Sequence, residues 1–201
     1  MRAVVIGSKN KSKLQEIREI FAGLERQFLD LGSFPATVEV VEDGQSFEEN
    51  ARKKAAGYAA QTGHWVLAED SGLVVPALGG RPGIHSARYA GRQGEDDANN
   101  QKLLQEMSGF QGEQRSAFYV CSAALSDDKG NIQVEARGEC HGLILGEFRG
   151  QGGFGYDPLF LIREYHATFG ELSSAVKHAI SHRSRALEGM RRSWRRSLAN
   201  D

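Results

Sequence analysis

The sequence predicts an α/β fold built on a mixed β-sheet flanked by helices, and three observations predict it. The N-terminal part alternates strand-like and helical patterns in the order β-α-β-α-β. Residues 115–125 and 132–141 then form two extended runs around Ser126-Asp127-Asp128-Lys129-Gly130-Asn131, a turn composition that reads as an antiparallel hairpin. The chain finishes in helical pattern over 170–180 and 182–198. Alternation followed by antiparallel strands argues for parallel and antiparallel pairings in one sheet.

The elements follow from local pattern. Ala3-Val4-Val5-Ile6 is an apolar strand, expected over 3–7. The helix after it is expected from about Lys11 to Gly23, because Leu14, Ile17, Phe21 and Leu24 recur at helical spacing on one face. Thr37–Val41 is rich in β-branched residues and reads as a strand. Ser46-Phe47-Glu48-Glu49 has the form of a capping box, and the helix it opens runs to about Gln61, closed by Thr62-Gly63. Trp65–Ala68 and Leu73–Val75 read as short strands on either side of an acidic pair. Gly79-Gly80-Arg81-Pro82-Gly83 is a loop by composition. Residues 95–107 are helical with Leu103, Leu104 and Met107 inward, and 159–162 is strand-like after a second glycine loop, Gly150-Gln151-Gly152-Gly153-Phe154-Gly155.

Composition narrows the function. At 201 residues the chain can bury a real core as one domain or two small lobes. Its 40% hydrophobic and 25% charged content is that of a soluble globular protein, and a net charge of −1 favours neither nucleic acid nor a membrane surface as partner. No apolar run approaches the roughly 20 residues that span a bilayer, and no signal-peptide pattern opens the chain. Cys121 and Cys140 lack metal-ligand spacing and read as reduced, buried thiols, so the expectation is a cytoplasmic protein.

The segments that carry chemistry are few. Ala68-Glu69-Asp70-Ser71-Gly72 sets two acids at a strand end, a costly arrangement unless cations sit against them. Neighbours in an extended segment point to opposite faces, so one acid faces a given site. That acid and, from another strand end, Glu42 are the candidate ligands for a divalent metal, which needs only one or two carboxylates when phosphates and waters complete its shell. The first strand runs into Ser8-Lys9-Asn10-Lys11-Ser12-Lys13 and a helix N-terminus, whose N–H groups, hydroxyls and lysines suit a polyphosphate. Together these segments suggest chemistry on a phosphate ester.

Gly153-Phe154-Gly155-Tyr156-Asp157-Pro158 places aromatics among small residues that would admit a flat ring, and Lys177 with Ser181-His182-Arg183 brings hydrogen-bond donors to a helix boundary. Each segment also has a plain reading: a solvated basic turn capped by Ser8 or Asn10, a surface turn at Asp70 and Ser71, core aromatics, a solvated helix start. Arg185, Arg191, Arg192, Arg195 and Arg196 on the last helix read as a solvated or dimer-flanking face.

Taken in order, these segments resemble the inosine triphosphate pyrophosphatase family in its bacterial form. The resemblance covers nearly the whole chain. It rests on Ser8 to Lys13, Phe47-Glu48-Glu49-Asn50-Ala51, Ala68 to Leu73, Gly79 to Tyr89, Gly153 to Pro158 and Ile180 to Arg183. It implies hydrolysis of ITP, dITP and XTP to the monophosphate and pyrophosphate with Mg²⁺ as cofactor. Asp70 would be the general base and a metal contact. Lys13 would be the second catalytic group and would hold the triphosphate with Ser8, Lys9, Asn10, Lys11 and Ser12, with Ser71 beside it. Phe154, Gly155, Tyr156, Asp157, Lys177, His182 and Arg183 would take the base and nearby groups. Also implied are an elongated sheet, a single domain over 1–201 in two lobes with a central cleft, and a homodimer.

The chain departs from the family pattern at Glu69, where most bacterial members carry Asp, at Val41-Glu42-Asp43-Gly44 in place of paired glutamates, and at His85 in place of a frequent Tyr. Two other readings compete: a nucleotide- or nucleic-acid-binding module without catalysis, and a pyrophosphatase of the related Maf type acting on other modified nucleotides.

Overall fold

The computed structural model describes residues 3–24 and 26–198, with the side chains beyond 194 outside the description, Arg195 and Arg196 among them. The strands are β1 (Val4–Ile6), β2 (Phe28–Asp30), β3 (Trp65–Val74), β4 (Ser116–Ser126), β5 (Ile132–Ile144), β6 (Phe160–Ile162) and β7 (Ala167–Thr168). The helices are α1 (Lys11–Ile20), α2 (Phe47–Thr62), α3 (Asp96–Glu106), α4 (Ser174–Ile180) and α5 (His182–Leu198). The strands form one seven-stranded sheet in the order β2-β1-β3-β4-β5-β6-β7. β1 pairs in parallel with β2 and β3, whereas β6 pairs antiparallel with β5 and β7, so the sheet is mixed as expected. No helix among the described residues is long and apolar enough to cross a membrane.

The chain divides into two compact units. The first comprises residues 1–70, 121–138 and 182–201. It has one apolar cluster around Ile6, Ile17, Phe21, Leu67, Leu125 and Met190, and another where Ala51, Ala55 and Ala59 of α2 pack with Val5 and Val66. The second comprises residues 71–120 and 139–181, with a core of Leu73, Leu103, Met107, Leu159, Phe160 and Phe169. Both cysteines are buried and outside any disulfide, as their spacing suggested.

The local signals mostly place the elements. Ser46 caps α2 by accepting from the Glu49 N–H, and Gly63 ends it in the left-handed conformation at φ 64, with its N–H on Ala59 O. Glu49 reaches back to the Gln45 N–H rather than to the cap residue itself.

Three expectations change. Thr37–Val41 is not a strand: Val38 and Val41 are exposed, Val38 N–H is bonded to Gln61 Oε1, and among the described residues no strand pairs with it. β-branched composition records packing on a sheet, and here only Val40 packs inward. The sheet edge is instead β2, three residues long, and β7 adds a two-residue strand; both are too short to leave a periodic signal. The acidic pair does not break its strand. β3 runs without interruption from Trp65 to Val74, because both acids find buried partners.

Candidate active site

In the first unit the acids of β3 take separate sets of cations. Glu69 is 3% exposed. Its Oε1 accepts from Lys13 Nζ at 2.8 Å and Arg183 Nη2 at 3.4 Å, and its Oε2 accepts from the Cys121 thiol at 3.5 Å. Arg183 is 1% exposed and its other amino group is bound to Glu16, making a buried chain Lys13–Glu69–Arg183–Glu16. Burial alone would push the Glu69 carboxyl up, but Lys13, Arg183 and Lys54 outweigh it and hold Glu69 well below the usual carboxylate range. The same carboxylates hold the Arg183 guanidinium above its ordinary value against the effect of burial.

A group whose folded pKa is depressed stabilises the fold above its unfolded value, and that contribution disappears as pH falls through the folded value. Glu69 therefore stabilises the protein fully above about 4.5 and progressively less below it. In acid unfolding of metal-free protein, Glu69→Gln will show a shallower loss of stability below that pH than the wild type. Equal slopes would contradict the ion pairing.

Asp70 is 7% exposed and turns to the other set of partners. Its Oδ2 accepts from Asn50 Nδ2 at 3.1 Å, and its Oδ1 lies 3.4 Å from Lys54 Nζ. Lys54 also bonds Glu42 Oε2 at 2.7 Å. Burial raises the Asp70 carboxyl, Lys54 and Lys13 pull it down, and the net shift is upward. Burial likewise disfavours the Lys54 ammonium, but Asp70, Glu42 and Glu69 together raise it. Lys13 thus reaches Asp70 through its field while its direct contact is with Glu69.

Loop 7–10 carries β1 into α1. Asn10 Oδ1 caps the helix by accepting from the Lys13 N–H at 3.1 Å, and Ser8 Oγ accepts from the Asn10 N–H at 3.2 Å. The capping reading and the anion reading coexist, since the Ser8 hydroxyl and the Asn10 amide remain donors. Lys9, Lys11 and Ser12 are exposed, and Ser71 follows Asp70 half-buried in β3.

The second unit holds the aromatic loop. Asp157 Oδ2 accepts from the Phe154 N–H at 2.8 Å and pairs with Lys177 Nζ at 2.6 Å, and its Oδ1 accepts from Tyr119 OH at 3.4 Å. Gly153 makes this turn possible. Its φ is +77, and a Cβ there would meet Asp157 Oδ2 at 2.1 Å. The Lys177 ammonium lies 4.3 Å from the Phe154 ring centroid. Tyr156 is buried with its hydroxyl on Ser86 O. Burial, with Asp157 and Tyr156 beside it, pushes the Tyr119 phenol well above its ordinary value.

The expected helix start at His182–Arg183 differs from a projecting pair of donors. Both side chains are buried, and the Arg183 guanidinium is turned onto Glu16 and Glu69 in the first unit. Two carboxylates in a low-dielectric interior outbid a solvent-facing position for a guanidinium.

Residues 4–193 match the Ham1 family. A dITP/XTP pyrophosphatase of Rhodopirellula baltica is 50% identical over 184 residues, covering 92% of this chain and 88% of the relative. One of Geobacter sulfurreducens is 50% identical over 187 residues, covering 93% and 94%. A HAM1 protein of Coxiella burnetii superposes with a TM-score of 0.90 at 38% identity, over 98% of this chain and all of that one. The acid pair, its lysines and the aromatic loop all fall inside the matched span, and the chain belongs to the Ham1 family.

Proposed function

We propose that this chain hydrolyses the non-canonical purine nucleoside triphosphates ITP, dITP and XTP to the monophosphate and pyrophosphate. The observation that carries the reading is the division of the buried acids: Glu69 with Lys13 and Arg183, Asp70 with Lys54 and Asn50. It stands in a family whose curated relatives are named dITP/XTP pyrophosphatases.

Among the described residues, no group of three or more His, Cys, Asp or Glu side chains could hold a metal on its own. The donor set nevertheless fits a divalent cation that keeps waters and phosphate oxygens. Glu42 and Asp70 already converge on one cation, the Lys54 ammonium, and both offer hard oxygens. Asp70 and Glu42 would hold the ion, which we take to be Mg²⁺, and when bound it would neutralise charge on the phosphate oxygens.

The chain's own residues supply the rest. Asp70 orients and deprotonates the attacking water, an in-line step in which positioning and electrostatics carry most of the rate. Lys13, held by Glu69, stabilises charge on the departing pyrophosphate. Ser8, Lys9, Asn10, Lys11 and Ser12, with the N–H groups opening α1, hold the polyphosphate, with Ser71 beside it. Phe154, Gly155, Tyr156, Asp157, Lys177 and His182 are assigned to the base, with Arg183 acting through its ion pairs. Inosine and xanthine carry a 6-oxo acceptor where adenine carries a 6-amino donor, and donors lining the base site would pair with the first and face the second unpaired. The reading includes a single two-lobed domain, a homodimer and a cytoplasmic setting.

A panel of purine and pyrimidine triphosphates, assayed for pyrophosphate with Mg²⁺, tests this. Expected are turnover of ITP, dITP and XTP at kcat/KM about 10²-fold or more above ATP, abolition by EDTA, and recovery on adding Mg²⁺. Equal cleavage of ATP, or activity indifferent to chelation, would contradict it.

A further inference from the structure

Helix α3 sends two side chains to one residue of the aromatic loop. Asp96 Oδ2 accepts from the Gly155 N–H at 2.7 Å, and Asn100 Nδ2 donates to the Gly155 carbonyl at 2.8 Å. A spacing of four residues puts Asp96 and Asn100 on the same helix face. One therefore takes the donor and the other the acceptor of the same residue. Gly155 has φ +62 and stands between Phe154 and Tyr156 in a loop with three other glycines, Gly150, Gly152 and Gly153. Left to itself such a loop would sample many conformations, and ordering it would cost binding free energy.

Asn100 is 2% exposed, and its Oδ1 is buried without a hydrogen-bond partner. Retaining a half-satisfied buried amide disfavours the fold. An apolar residue of the same shape would avoid that cost, so the amide is held for the contact that its N–H makes.

We infer that Asp96 and Asn100 are positioning residues that clamp Gly155 and so present the Phe154 ring to the purine base. The clamp rests on the reading that Phe154 contacts the base. It acts on affinity for the base and leaves the phosphate chemistry alone. Asp96 is exposed, so its substitution leaves the core packing alone.

Steady-state kinetics of the full chain with dITP and Mg²⁺ test it, together with competitive inhibition by inorganic tripolyphosphate, which has no base. Asn100→Asp is isosteric but loses the donor, and Asp96→Ala loses the acceptor. Each should raise KM for dITP about tenfold, with kcat within about twofold and the tripolyphosphate Ki unchanged. Asp96→Asn, which keeps an acceptor oxygen, should recover most of the loss. The proposal is overturned if Phe154→Ala raises KM while neither clamp variant does. A fall in kcat at constant KM, or a tripolyphosphate Ki that moves in step with KM, overturns it too. An unchanged KM in Phe154→Ala would refute the base reading itself, and the clamp's role with it. Asp96→Ala lies on the surface and keeps the test open should Asn100→Asp fail to fold.

Discussion

Asp70→Asn will abolish dITP hydrolysis, by about 10³-fold or more, and leave the fold intact. The amide is isosteric with the carboxylate, so the bond from Asn50 Nδ2 can be kept on the remaining oxygen. Lys54 retains Glu42, at 2.7 Å, as a partner. Removing a buried charge that desolvation already disfavours relieves part of the folding cost, which offsets the lost attraction to Lys54. The thermal midpoint should therefore move by only a few degrees, while the group that orients and deprotonates water is gone. Pyrophosphate release and a melting curve on the same preparation decide it. Turnover close to wild type would end the general-base assignment.

Arg183→Met should be the most destabilising single change in the first unit. The guanidinium is 1% exposed and neutralises two buried carboxylates, Glu16 and Glu69. Removing one partner of a buried ionic group leaves charge uncompensated and costs about 3–5 kcal/mol. For a chain of this size that lowers the melting midpoint by roughly 10 °C. Arg183→Lys keeps the charge but not the two-pronged contact, so it should fall between. Glu69 would also lose one of the two cations that orient it beside Lys13, so activity should fall with stability. A melting midpoint unchanged in Arg183→Met would show that the two glutamates do not depend on it.

Much of this architecture is legible in the sequence because its signals are local. The apolar stripe Leu14, Ile17, Phe21 and Leu24, the Ser46 cap and the Gly63 stop each place an element through one residue's geometry. The segment 37–41 misleads because β-branching marks a surface that packs against strands, and among the described residues none pairs with it. β2 and β7 escape because two or three residues carry no period.

The site follows the same division. Glu69, Asp70, Lys13 and Glu42 stand out in the sequence as charges beside strand-like runs or at a helix start. Lys54 does not, since Arg52-Lys53-Lys54 looks like a solvated basic run. Only spacing distinguishes it. Asn50, Lys54 and Tyr58 recur every four residues beside Ala51, Ala55 and Ala59, the buried stripe of α2. Glu16, next to Ile17 on the inner face of α1, carries the same clue. Asn50 lies inside a segment singled out by family resemblance, yet its bond to Asp70 depends on how α2 lies against β3, which spacing alone does not encode. Arg183 is the converse case. Its type suggests an outward donor, and burial turns it into a counter-ion for acids far away in sequence.

The most direct test of the central claim is the ³¹P spectrum of dITP turned over by the full chain with Mg²⁺. The account predicts that the triphosphate signals give way to pyrophosphate and the monophosphate in equal amounts, with no orthophosphate. Orthophosphate appearing with the diphosphate, or triphosphate signals that persist unchanged, would contradict it.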